Sequence, residues 1–234
     1  MLPLRDDQPR YSTPWVNSFL IGLNLVIFFF EFTLDPRSLE LLIRQFGVVP
    51  SHLASFLSGS PRYSLPAVVL PFFTSMFLHG SWLHVLGNML YLYIFGDNVE
   101  DYLGHFKYLV FYLLTGLVAM ATQVAVNLHS TAPTVGASGA IAGILGAYFV
   151  LFPRARVLTW VFEVLVLVIW IPAWIILIYW FVLNFLSGTE TMLAVHRQNM
   201  GGVAFWAHVG GFISGALMIK LFPERTRRYP YAYR

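Results

Sequence analysis

No cysteine occurs anywhere in the chain. That excludes disulfides, a thiolate nucleophile and any metal site built on cysteine sulfur. Charge is scarce as well. Only 11% of the residues are charged, against about 25% in a soluble domain, so the composition is not that of an ordinary soluble protein. The net charge of +3 is small, and no nucleic-acid partner is expected. No internal repeat and no second domain stand out. A transporter, with repeated halves and helices broken at the midplane, is therefore disfavoured. No cleavable signal peptide is expected: residues 1–13 are polar, and the first apolar run is long and lacks a cleavage motif.

What the chain has in abundance is apolar surface. Hydrophobic residues make up 58% and mean hydropathy is +0.69, the composition of a membrane protein. The aromatic share, 17%, suits lipid-facing and interfacial positions. A spanning helix needs about 20 mostly apolar residues. Six candidates meet this: Pro14–Leu34, Leu83–Val99, Phe106–Leu128, Val135–Phe152, Val157–Leu186 and Val203–Phe222. The fifth contains Pro172 and is expected to kink or tilt. The fourth is short and glycine-rich, which places it inside the bundle.

Positive residues set the orientation. Arg5, Arg10, Lys107, Arg154, Arg156, Lys220, Arg225, Arg227, Arg228 and Arg234 fall on one side; Arg37, Arg44, Arg62 and Arg197 fall on the other. Ten against four puts both termini in the cytoplasm and requires an even number of spans. The segment from Asp35 to Ser81 then lies outside. Its proline and glycine exclude a single span there, and an amphipathic hairpin in the interface is the expectation.

Chemistry concentrates at the outer ends of three spans. Thr134-Val135-Gly136-Ala137-Ser138-Gly139 carries a serine into the fourth span. Ala207-His208-Val209-Gly210-Gly211 carries a histidine into the sixth, and His84 and Asn88 lie in the first two turns of the second. At about 1.5 Å rise per residue, all four sit roughly 5–10 Å below the outer mouth. Polar groups at membrane depth are costly and usually mark function. Gly139, Gly143 and Gly146 fall on one face of the fourth span, and Gly211 and Gly215 share a face of the sixth with His208. Such small residues let helices approach closely. Ser138 Oγ is therefore expected near the His208 ring. Histidine is a suitable base for a serine nucleophile near neutral pH. Asn88 and His84 offer donors to a developing oxyanion, as do unpaired backbone N–H groups around Ser138. No acidic residue lies at this depth beside the pair, so a dyad is expected. His79 and His84 are poorly spaced for shared ligation and no carboxylate joins them, so no metal is expected. His79 is expected to hydrogen-bond to the first loop.

Gly136-Ala137-Ser138-Gly139 with Gly143, Ala207-His208 with Gly211 and Gly215, and His84-Val85-Leu86-Gly87-Asn88 together resemble the rhomboid intramembrane serine proteases. The resemblance implies an all-α polytopic membrane protein, a six-helix bundle with an interfacial first outer loop. It assigns Ser138 as nucleophile and His208 as base. His84 and Asn88, with Gly136, are implied to line the oxyanion hole. His79, Gly96, Glu100, Gly104, Gly139, Gly143, Gly211 and Gly215 take supporting roles; Gly96, Glu100 and Gly104 match a Gly-xxx-Glu-xxx-Gly pattern. Ala142, one turn after the serine, stands where some relatives carry an aromatic ring stacked on the histidine. The implied activity is endoproteolysis of transmembrane-anchored proteins without a cofactor. The alternative is an inactive relative that binds and escorts membrane proteins. The expected layout is a cytoplasmic segment 1–13, a membrane domain 14–222 and a cytoplasmic basic tail 223–234, in a bacterial inner membrane.

Overall fold

The computed structural model describes residues 1–162, 167–193 and 204–225. Arg197, the start of the sixth candidate span and the tail beyond residue 225 lie outside the described residues. The protein is mostly helical. In order, the chain forms β1 (Leu2–Asp6), α1 (Trp15–Thr33), α2 (Pro36–Phe46), α3 (Pro50–Leu57), α4 (Leu65–Val69), α5 (Pro71–Thr74), a 3-10 turn (Ser75–Phe77), α6 (Trp82–Leu103) and α7 (His105–Val126). It continues with α8 (Ser138–Leu151), β2 (Arg156–Val161), β3 (Leu167–Pro172), α9 (Ala173–Leu193) and α10 (Phe205–Met218).

The spans differ from the expectation in their lengths and bounds. Among the described residues three helices reach the length and apolarity needed to cross a membrane: α1, α7 and the first 19 residues of α9. By length and composition alone, Leu65–Phe77 together with α6 is a fourth candidate, bent by 77°. Helices α8 and α10 have 14 residues each, about 21 Å of helix; α8 is short because Val135–Ala137 form a turn ahead of it, and α10 because it tightens into a 3-10 turn at Ile219–Leu221. The fifth candidate span also starts differently. Residues from Val157 onward form an antiparallel hairpin, β2 with β3, and the helix begins only at Ala173. The reason is local chemistry. Val157, Thr159, Val161, Val168, Ile169 and Ile171 are β-branched and favour the pleated surface. Pro172 lacks a donor, so it ends an edge strand and precedes the helix instead of kinking it. The polar residues 1–13 are not featureless either. Strand β1 pairs with β2, Leu2 opposite Trp160 and Asp6 opposite Val157, giving a three-stranded sheet in the order β1-β2-β3.

The segment between α1 and α6, expected to be the first outer loop, is helical but broken. Helix α2 starts on Pro36 and is capped by Asp35, whose side chain accepts from the Arg37 and Ser38 N–H groups. Prolines at the starts of α3, α4 and α5 keep each piece short.

Helix α8 is the centre of the bundle. Every residue from Gly139 to Tyr148 is buried, packed against α6, α7, α9 and α10. The end of α6 farthest from Ser138 ties down the N-terminus. Buried Glu100 accepts from the backbone N–H groups of Val16 and Asn17 at 3.0 and 2.7 Å. Pro14 gives α1 no side-chain cap, so this carboxylate caps it from another helix. Glu100 also contacts His105 Nδ1 at 2.5 Å. Gly96 lies against Asn17 and the Tyr108 hydroxyl, leaving no room for a Cβ. Gly104 ends α6 at φ +78°, a left-handed turn that suits glycine. The Arg225 N–H donates to Tyr102 O at this same end, so the N-terminal segment and residue 225 share one face of the bundle.

Asp6 joins β1 to the bundle. Its Oδ2 accepts from the Tyr148 hydroxyl at 2.5 Å and from Asn98 Nδ2 at 3.2 Å. Burial pushes the Asp6 carboxyl up from 3.8 to about 6, helped by Asp97 and Asp7 and opposed by the Tyr148 hydrogen bond. The folded state therefore favours the protonated form. Its contribution to docking is full below pH 3.8, falls as pH rises towards 6, and is lost above. Asp6→Asn keeps an oxygen acceptor and removes the charge. Amide exchange of Leu2–Asp6 should speed up between pH 4 and 7 in the native chain beyond its intrinsic pH dependence. In Asp6→Asn that excess should vanish.

Candidate active site

Ser138 is the first residue of α8, so its own N–H and those of the next residues have no partner inside the helix. The turn before it is tightly held. Val48 and Thr134 exchange backbone hydrogen bonds at 3.0 and 2.8 Å, and the Gly136 N–H donates to Ser75 O at 2.8 Å. The first outer loop thus pins the segment that presents the serine. Gly136 has φ +124°, and a Cβ there would meet the His84 ring at 2.7 Å. Only glycine suits both demands. The Gly136 N–H is spent on Ser75, so Gly136 lines the site by making room for His84 rather than by donating its own N–H.

His208 lies one turn into α10. The residue before that helix, Ala204, has no capping side chain; Gln123 of α7 accepts the Ala207 N–H at 3.2 Å. His208 is buried, and its Nε2 lies 2.7 Å from Ser138 Oγ. Its Nδ1 lies 2.5 Å from Asn184 Oδ1 on α9. Trp180, one turn earlier on α9, covers the imidazole with ring centroids 5.4 Å apart. Ala142 is fully buried in α8, and the aromatic ring on the histidine comes from α9 instead.

His84 and Asn88 project from the first turns of α6, whose cap is Ser81 Oγ accepting the His84 N–H at 3.2 Å. Asn88 Nδ2 donates to His79 Nε2 at 3.0 Å, which leaves the other amide hydrogen of Asn88 for a ligand. His79 is anchored by α1. Its N–H is shared by both carboxylate oxygens of Glu31, at 3.3 and 3.1 Å. Glu31 and Asn88 are thus partners of His79 beyond the first loop expected for it. Glu31 and Asn184 were not anticipated from the sequence. Both are polar residues inside apolar runs, the signal that could have flagged them.

The glycines bring α8 and α10 together, though not as one matched face. A Cβ on Gly211 would meet the backbone oxygen of Gly139, and one on Gly215 that of Gly143; Gly146 lies against Phe212 O and Ala216 N. The Cα atoms of Gly139 and Gly143 turn instead to Ala119 and Thr115 of α7. A half-buried hydroxyl bonded to a buried imidazole, beside unpaired N–H groups at a helix start, is an arrangement suited to attack on a carbonyl.

Residues 66–225 match the Rhomboid domain family. The chain belongs to the rhomboid family. It is 30% identical to Rhomboid protein 1, mitochondrial, of Saccharomyces cerevisiae over 149 residues, 61% of this chain and 39% of that protein. It is 42% identical over 73 residues to Rhomboid-like protein 11, chloroplastic, of Arabidopsis thaliana, 31% of this chain and 26% of that one. The human Presenilin-associated rhomboid-like protein, mitochondrial, is 26% identical over 155 residues, 62% of this chain and 36% of its own length. This rhomboid chain therefore spans well under half of each relative. Their organellar names do not fit the bacterial inner membrane expected from the sequence. Rhomboid membership and the apolar helices make this a multi-pass integral membrane protein.

Proposed function

We propose that this rhomboid is an intramembrane serine endopeptidase that cleaves transmembrane-anchored proteins. The observation that carries the reading is the 2.7 Å contact between His208 Nε2 and Ser138 Oγ, half-buried at the starts of two apolar helices. Ser138 Oγ attacks a substrate carbonyl as its proton passes to His208 Nε2. The Ser138 N–H, the free amide hydrogen of Asn88 and the His84 ring stabilise the oxyanion. His208 then protonates the leaving amine, and water hydrolyses the acyl-enzyme with His208 again as base. The substrate helix must unwind locally, because an intact helix hides its carbonyls in internal hydrogen bonds. It enters from lipid between α6 and α9, where Leu83 and Leu86 of α6 lie exposed beside the site. Six crossings are proposed, with the short α8 and α10 shielded inside, and the termini on the basic, cytoplasmic face away from Ser138. Residues 14–222 form the membrane domain, between a short leading segment and a basic tail.

The test uses the full chain in lipid vesicles with a single-span protein carrying small residues near its outer membrane boundary. The native chain should release a defined fragment, and Ser138→Ala should release none. Equal cleavage by both would reject the mechanism.

A further inference from the structure

Asn184 sits on α9, inside an apolar helix and 8% exposed. Its amide is fixed at both ends. Nδ2 donates to the Trp180 carbonyl, one turn back, at 2.8 Å. Oδ1 therefore faces away from that carbonyl and meets His208 Nδ1 at 2.5 Å. An amide oxygen only accepts, so the proton of the neutral imidazole must sit on Nδ1. That leaves Nε2 bare, and Nε2 is the nitrogen 2.7 Å from Ser138 Oγ. The reverse tautomer would place two acceptors, Oδ1 and a bare Nδ1, against each other. It would also put an N–H where the serine proton must go.

We propose that Asn184 is a positioning residue that locks His208 in the Nδ1–H tautomer needed to deprotonate Ser138. The inference rests on the serine-protease reading above. A neutral acceptor suits this place, because a carboxylate among apolar side chains carries a large desolvation cost. Trp180, on the same helix, fixes the plane of the ring. The base is thus assembled by α9, a helix beside the proposed substrate path. Moving α9 away withdraws the acceptor and the ring cover together.

The experiment compares the native full chain, Asn184→Leu and Asn184→Asp in lipid vesicles. It measures cleavage against pH, labelling of Ser138 by a fluorophosphonate, thermal unfolding, and the histidine ¹⁵N spectrum. Asn184→Leu should lower kcat about 100-fold with little change in KM. The His208 signal should move from the Nδ1–H form to a mixture of tautomers. Asn184→Asp restores the acceptor and adds charge. It should retain most of the activity and move the acid limb of the pH profile upward, since a carboxylate favours the imidazolium. Two results would overturn the inference while leaving the protease standing. One is native labelling at Ser138 with unchanged kcat in a folded Asn184→Leu. The other is a predominantly Nε2–H His208 in the native chain. A native chain that never labels would overturn the protease reading and this role with it. Loss of thermal stability in Asn184→Leu leaves Asn184→Asp to decide: an unmoved pH profile there contradicts the proposal.

Discussion

His208→Ala should lower the cleavage rate by about 10⁴- to 10⁶-fold, the loss seen when the base of a serine hydrolase is removed. At about 1.36 kcal/mol per decade, the smaller figure is already more than 5 kcal/mol of transition-state stabilisation. The site explains why the effect should be this large. Oγ is half-buried with Nε2 at 2.7 Å, and among the described residues no other base is hydrogen-bonded to it. The measurement is kcat for a single-span substrate, with thermal unfolding confirming that the variant folds. Activity within tenfold of the native chain would mean that the serine proton goes elsewhere.

The second large effect concerns packing. Gly215→Ala should destabilise the protein by about 3 kcal/mol or more, the upper range for overpacking a filled interior. The added methyl would overlap the Gly143 oxygen and come within 2.6 Å of its carbonyl carbon. Both sides are backbone, so relief requires α8 and α10 to separate. Separation lengthens the Ser138–His208 contact and should abolish cleavage as well. Gly116→Ala is the milder comparison, because its methyl would meet the flexible end of Met76. Gly22→Ala has nothing within 4 Å and should be neutral or slightly stabilising, since glycine costs about 1 kcal/mol inside a helix. Thermal unfolding of the three variants checks the order.

Much of this arrangement could be read before any coordinates, and the reasons are specific. Ser138, His208 and the His84–Asn88 pair are polar residues near the starts of three apolar runs, and depth follows directly from helical rise. Their meeting depended on glycines whose spacing is also visible. The detailed faces were not: Gly139 and Gly143 serve α7 with their Cα atoms and α10 with their carbonyls, which spacing cannot distinguish. The hairpin before α9 was hidden because its strands, like a membrane helix, read as one continuous apolar run, although β3 is largely exposed. The β-branched residues and Pro172 were the available clue. Asn184 and Glu31 escaped for a different reason. Each acts through a partner distant in sequence, His208 and His79, and only the packing of α9 and α1 brings them there.

The central claim is that the Ser138 hydroxyl and the His208 imidazole meet at the starts of α8 and α10 as nucleophile and base. Its most direct measurement is labelling of the full chain by a fluorophosphonate in lipid vesicles, with the modified residue mapped by mass spectrometry. The account predicts one adduct, on Ser138, formed in the native chain and lost in His208→Ala. An inert native chain, or an adduct of undiminished rate in His208→Ala, would contradict it and favour a protein that binds membrane partners without cutting them.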